Sequence, residues 1–140
     1  MINKIKNALI IAPHPDDESL SSGGTILKLI ENKINVSCLV VSGHLPPLYT
    51  TKQFEITKLE SIKAFEKYKI KNHKFLEIPA TQVKDIDTAV LNKLIHDYIF
   101  KVKADLILIP FPDRHIDHRI IFDSSLVASR PNTKFYPKII

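Results

Sequence analysis

The chain has 140 residues, 44% of them hydrophobic and 25% charged, which suits one globular domain with a substantial core. Lysine and arginine outnumber aspartate and glutamate by 20 to 15, but they are scattered rather than clustered, which argues against a nucleic-acid partner. One cysteine, Cys38, excludes an intrachain disulfide, and no stretch has the length of apolar sequence that a bilayer span or signal peptide needs, so the expected location is the cytoplasm.

Apolar runs alternate with amphipathic stretches. Ala8–Ala12 reads as a buried parallel strand stopped by Pro13. Ser19–Asn32 places Leu20, Ile26, Leu27, Leu29 and Ile30 at helical spacing. Ile34–Ser42 is a second strand, with Cys38 as a buried core thiol, and Gly43 stops it. Residues 44–51 read as a loop broken by Pro46 and Pro47, and residues 52–69 as a helix. Lys74–Ile78 is a third strand, Asp87–Val102 a helix, Asp105–Ile109 a fourth strand, and residues 116–129 a last helix. Strand and helix alternate four times, which predicts an α/β fold, a Rossmann-like three-layer sandwich with a mainly parallel sheet in a single domain over 1–140. Ligands in such sheets bind beyond the carboxyl ends of the strands. Both chemically dense segments of this chain follow strands.

The first is Pro13-His14-Pro15-Asp16-Asp17-Glu18, one imidazole and three carboxylates at a strand-to-helix turn. Helix capping would account for one or two of these acids. Three in a row repel one another unless a cation stands near. The second is Asp113-Arg114-His115-Ile116-Asp117-His118, two histidines three apart with two aspartates. Brought together at neighbouring strand ends, these segments offer two histidines and an aspartate for a catalytic zinc, with an aspartate and a histidine to spare as base and acid. His44, His73 and His96 have no such company and read as ordinary residues.

The pairing of His14-Pro15-Asp16-Asp17-Glu18 with His115-Ile116-Asp117-His118 resembles the PIG-L/LmbE family of zinc-dependent N-acetylglucosaminyl deacetylases. Gly23-Gly24-Thr25 as a helix opening, Ser42-Gly43 after the second strand, Glu60 within its helix and Ala128-Ser129-Arg130-Pro131 extend the likeness over residues 5–131. The resemblance implies that His14, Asp17 and His118 hold Zn2+, or another divalent transition metal such as iron or cobalt. It implies that Asp16 is the general base, and that His115 stabilises the oxyanion and protonates the leaving amine. Asp117 then orients a histidine. The implied substrate is a small N-acylated amino sugar or conjugate.

Several positions depart from the family pattern. Thr57 stands where an arginine is frequent, Lys69 where a glycine is frequent, and the chain reaches only Ile140, so the usual C-terminal portion is expected to be lacking. The β-rich tail Lys134–Ile140 reads as the start of a further strand that could pair with another chain, which leaves a homo-oligomer open. Competing readings are a metal-binding but inactive family member, a non-haem iron(II) oxygenase built on a two-histidine, one-carboxylate triad, and a nucleotide-binding module. The last lacks G-x-G-x-x-G at the first strand-to-helix turn.

Overall fold

Strands β1 (Asn7–Ala12), β2 (Asn35–Gly43), β3 (Asn72–Pro79) and β4 (Leu106–Leu108) form one parallel sheet in the order β3-β2-β1-β4 in the computed structural model, which describes residues 5–131 and 135–140. Helices α1 (Asp17–Glu31), α2 (Thr51–Tyr68), α3 (Thr88–Val102) and α4 (Ile116–Ala128) alternate with the strands, and a short 3-10 turn spans Val83–Asp85. The central strands are apolar throughout because both of their faces are covered. Ala8, Ile10 and Ala12 of β1 pack with Val36, Cys38 and Val40 of β2 against Ile26 and Leu29 of α1 and Phe65 of α2. Leu9, Ile11, Leu39 and Val41 face the other way, onto Leu91, Ile95 and Ile99 of α3 and Ile121 of α4. The period of two along each strand thus builds the expected three layers, and Cys38 is a fully buried core thiol.

The chain runs β1, β2, β3 toward one edge and then returns to lay β4 on the opposite side of β1. The carboxyl ends of β1 and β4 therefore flank the point where strand order reverses, the place where open α/β sheets leave a crevice. Helix α1 starts at Asp17, two residues before its apolar periodicity, so the acid-rich segment runs directly into its first turn. β4 has three residues rather than the expected five. Its inner side pairs with β1 from Ala8–Leu106 to Ile10–Leu108, while its outer side makes one parallel bridge, Leu106 to Ile139. Within the tail expected to begin a strand, Lys134 lies outside the described residues; Ile139 supplies that bridge, with Ile107 N–H donating to its carbonyl at 3.0 Å. Gly23 and Gly24, expected at a helix opening, lie inside α1. A Cβ on Gly23 would stand 2.9 Å from the Tyr68 hydroxyl, so the glycine allows α1 and α2 to approach closely. Among the described residues no helix is long and apolar enough to cross a membrane.

With only three glycines, none at positive φ, the chain ends its first three helices on lysines. Lys33, Lys69 and Lys103 have φ of 60°, 61° and 50°. After each, two amides reach back into the last turn. Lys69 N–H donates to the Glu66 carbonyl and Ile70 N–H to Phe65, and Lys103 and Ala104 repeat the pattern on Phe100 and Ile99. The following residue, Ile34, Ile70 or Ala104, is buried each time. This is the Schellman arrangement with its apolar contact, and a cation at a helix C-terminus also suits the dipole.

Candidate active site

His14 leaves the end of β1 with each ring nitrogen facing a carboxylate. Nε2 lies 3.0 Å from Asp117 Oδ2, and Nδ1 lies 3.2 Å from Asp17 Oδ2. The His14 backbone N–H also donates to Asp17 Oδ2 at 2.9 Å, which fixes the carboxylate across the turn. Asp117 is fully buried at the start of α4, where Thr81 N–H donates to its Oδ2 at 2.8 Å. His118 comes from the first turn of α4. Its Nδ1 is 2.9 Å from Asp113 Oδ2, and its Nε2 is 3.4 Å from Asp17 Oδ2. Asp113 uses its other oxygen to accept the His115 N–H at 2.7 Å, so one carboxylate positions both histidines of this segment.

Two atoms of the imidazoles thus converge on one carboxylate oxygen: His14 Nδ1 and His118 Nε2 on Asp17 Oδ2. The nitrogen on the far side of each ring is held by a second carboxylate, Asp117 for His14 and Asp113 for His118. Carboxylates placed behind histidines in this way orient metal ligands and raise their basicity. His115 stands beside them, its ring 4.6 Å from that of His14 and 5.0 Å from that of His118. The three imidazoles each place a nitrogen within 4.8 Å of the others, so geometry alone also admits a three-histidine set. Hydrogen bonding separates the two sets. His115 Nδ1 accepts the backbone N–H of Asp117 at 3.2 Å, capping α4. A neutral ring that accepts at Nδ1 carries its proton on Nε2, which makes that nitrogen a donor rather than a ligand.

Electrostatics follows the same division. Burial opposes charge on His14, yet hydrogen bonds to Asp117 and Asp17 outweigh it and push the ring up to about 9. Burial also works against charge on Asp17 and Asp117, and again the His14 hydrogen bond prevails, holding both below the usual carboxylate range. His115 moves down, through burial and then the charge of His14. Asp16 moves up, through burial and then repulsion from Asp17. The adjacent carboxylates of Asp16 and Asp17 are thus driven in opposite directions.

Asp16 occupies the N-cap position of α1 but makes no capping hydrogen bond, so the capping explanation of this acid fails. Its backbone sits at φ 105°, ψ −30°, and its amide donates to Glu18 Oε2 at 3.2 Å. Glu18, nearly fully buried, also accepts from Ser19 Oγ at 2.9 Å, and burial raises its carboxyl. The Asp16 side chain lines a cavity shared with His44 and Glu60. The site residues read from the sequence, His14, Asp16, Asp17, His115, Asp117 and His118, therefore lie together at the ends of β1 and β4. Arg119 donates to the carbonyls of Asp113 and Arg114, bracing the loop. Three contributors escaped sequence reasoning. Asp113 was visible as a second aspartate beside the histidine pair. His44, which reads as ordinary, follows the Ser42-Gly43 strand end into the cavity beside Asp16. Thr81 acts through its backbone amide, at φ 68°, and left no side-chain signal. His73 packs its ring on Phe65 and Phe75, and His96 lies beside Asp97, both away from this centre.

The chain is 30% identical over 126 residues to diacetylchitobiose deacetylase of Thermococcus kodakarensis, covering 84% of this chain and 46% of that protein. It therefore spans about half the length of the curated relative it matches. Its fold superposes on N,N'-diacetylchitobiose deacetylase from Pyrococcus horikoshii with a TM-score of 0.80 at 22% identity, covering 98% of this chain and 58% of that one. It also superposes on GalB, the 4-carboxy-2-hydroxymuconate hydratase of Pseudomonas putida KT2440, with a TM-score of 0.77 at 17% identity, covering 94% and 62%. At those identities the structural likeness carries the fold and not the reaction. The family model for GlcNAc-PI de-N-acetylase matches residues 9–129, a span that holds every residue of the site, and the chain belongs to the PIG-L family.

Proposed function

We propose that this α/β domain hydrolyses the N-acyl group of an N-acylated amino sugar with the help of one zinc ion. The observation that carries this reading is the convergence of His14 Nδ1 and His118 Nε2 on Asp17 Oδ2, with Asp117 and Asp113 holding the outer nitrogens. Two neutral imidazoles and one carboxylate are the N and O donors of a catalytic zinc site, which keeps one position open. His14, Asp17 and His118 would hold the ion, and once bound it supplies a water of lowered pKa and polarises the acyl carbonyl. Asp16 would take a proton from the attacking water, a task suited to a carboxylate that caps no amide and whose pKa is raised by burial and by Asp17. As the water oxygen bonds to the acyl carbon, His115 Nε2–H donates to the developing oxyanion. The C–N bond then breaks and the proton that Asp16 took from the water passes to the departing nitrogen, while His115, a neutral ring with a single proton, stays the donor to the oxyanion rather than the acid for the amine. The products are a free amine and a carboxylate.

The test is metal content of chelator-free protein measured together with amine release from N-acetylglucosamine derivatives. About one zinc per chain with amine release is expected. Zinc without turnover would leave a metal-binding, inactive family member. Iron with oxygen uptake would instead favour an oxygenase, and absence of any bound metal would overturn the proposal.

A further inference from the structure

A cavity of about 250 Å³ opens between the start of β3 and the last turn of α3, lined by Lys71, Asn72, His73, Tyr98, Lys101 and Val102. The strands are parallel and the metal centre lies at the carboxyl ends of β1 and β4, so this cavity stands at the opposite end of the sheet. Tyr98 is its most buried wall, only 3% exposed. Its hydroxyl makes no hydrogen bond among the described residues. A tyrosine packed into a core ordinarily finds a partner for its hydroxyl, and the cavity is where such a partner can stand. Burial pushes the Tyr98 pKa up to about 12, so the hydroxyl stays protonated and able to donate. The His73 ring packs on Phe65 and Phe75, which leaves Lys71, Asn72, Tyr98 and Lys101 as the polar side chains for a ligand.

Charge defines the ligand. Lys71 and Lys101 lie far apart in the sequence, and folding brings them to one cavity. Lys28, Lys58 and Lys93 are each paired with a carboxylate, whereas Lys71 and Lys101 pair with none among the described residues. No aspartate or glutamate lines the cavity, and Asp97, next to Tyr98 in sequence, is held by Lys93. Lys101 Nζ stands 5.8 Å from the centre of the Tyr98 ring, so ammonium and phenol share one wall. The negative end of the α3 dipole would oppose an anion. There, however, the Lys103 and Ala104 amides cover the carbonyls of Phe100 and Ile99, and Lys101 and Lys103 supply two cations. Two ammoniums, a phenol and a carboxamide, with no carboxylate, are a donor set for an anion with several oxygens. The volume lies below the roughly 300–1,000 Å³ of pockets for larger organic ligands, which suits a small ion or the phosphate end of a larger molecule.

We infer that this cavity binds a phosphate-bearing anion, with Lys71 and Lys101 pairing its charge and Tyr98 and Asn72 donating to its oxygens. The site is separate from the metal centre and independent of the hydrolysis proposed there. The experiment is calorimetry on the chain with and without zinc, using inorganic phosphate, diphosphate and adenosine monophosphate as probes. One diphosphate per chain is expected in both forms. Its affinity should fall about tenfold in Lys71→Gln and in Lys101→Gln, and about fivefold in Tyr98→Phe, which keeps the packed ring. Lys28→Gln removes a lysine that pairs with Glu31 on α1 and should bind as the parent chain does. Adenosine monophosphate binding more tightly than phosphate would name an ester as the source of the group. Diphosphate binding more tightly than both would name a free anion, and either result sustains the site. Absence of binding, binding confined to the zinc-loaded form, undiminished affinity in Lys101→Gln, or an equal loss in Lys28→Gln and Lys101→Gln would overturn the inference. The titration needs no turnover, so its result stands whether or not amine release is found.

Discussion

The C-terminal ends of α1, α2 and α3 and the start of α1 all place non-glycine residues in left-handed backbone, for different reasons. At Lys33, Lys69 and Lys103 the conformation closes a helix, and each closure gains two hydrogen bonds and a buried apolar residue beyond it. At Asp16, with φ 105°, the side chain caps no amide; its carbonyl accepts the Ser19 and Leu20 amides and its own amide donates to Glu18 Oε2. Strain of order 1–3 kcal/mol at such a position persists only where the surroundings impose it, and it concentrates at functional sites. The lysines end helices within the scaffold. Asp16 is held in an unfavourable turn that keeps its carboxylate free of the helix and beside Asp17.

Asp16 offers the sharpest way to break this comparison. Asp16→Asn is expected to keep zinc and lose about 10²–10⁴-fold in kcat, the usual contribution of a positioned base. Asp16→Gly should lose turnover to the same degree while raising thermal stability, because relief of the positive-φ strain exceeds the added freedom of the unfolded chain. Metal analysis, amine release and calorimetry on the two variants give the answer. If Asp16→Gly were less stable, or Asp16→Asn near full activity, the separation of structural from functional strain would fail.

The second prediction concerns Asp113, which holds both His118 and the His115 amide. Asp113→Asn should weaken zinc binding by about 10–100-fold, as loss of a carboxylate behind a ligand histidine does, whereas His118→Ala should abolish it. Competition with a coloured chelator reads both. Unchanged zinc affinity in Asp113→Asn would reduce that residue to a loop brace.

The third prediction is a pH dependence. The His14 pKa is raised to about 9 in the metal-free chain, so a proton competes with zinc for Nδ1 through the neutral range. Zinc affinity should rise about tenfold per pH unit as pH increases toward 9 and flatten above it. Stability of the metal-free chain carries the opposite sign. A histidine raised by its partners contributes stability that is fully present below about 6.5 and is lost as pH rises through 9. Chelator competition and thermal melts across this range check both slopes, and an affinity flat between pH 7 and 9 would show that His14 is not the ligand under competition.

Much of this was legible in the sequence because it depends on local pattern. The apolar runs at Ala8–Ala12 and Ile34–Ser42 read as buried parallel strands, and the two histidine- and aspartate-bearing motifs, through the family they resemble, named the residues now found together. What escaped depends on relations between distant segments. That β4 returns beside β1, bringing His118 to Asp17, follows from sheet order and not from any single stretch. Thr81 contributes a backbone amide, and any residue type would offer the same amide. His44 gains its significance from the cavity it shares with Asp16 and Glu60, which lies where α2 packs beside α1. The expected β4 is shorter by one residue at each end: before its start, the Asp105 carboxylate accepts the amides of Lys6 and Asn7 at 2.9 and 3.1 Å, a contact between segments far apart in the chain.

The smallest predicted effect tests the other side of the comparison. Lys69 stands at φ 61°, ψ 29°, where a glycine would be free of the left-handed penalty that a Cβ incurs. Lys69→Gly removes that penalty but loses a cation at the end of α2, and it loosens the unfolded chain. These terms oppose one another, so the net gain should stay within about 1 kcal/mol. The Lys69 and Ile70 amides would keep their bonds to Glu66 and Phe65, because those belong to the backbone. Zinc affinity and amine release should be unchanged, since Lys69 ends α2 outside the metal centre. A melting temperature shifted by a few degrees at most, with activity intact, would mark Lys69 as scaffold strain already offset by its closure. A loss of activity in Lys69→Gly would instead tie the C-terminus of α2 to the site and erase the distinction drawn between it and Asp16.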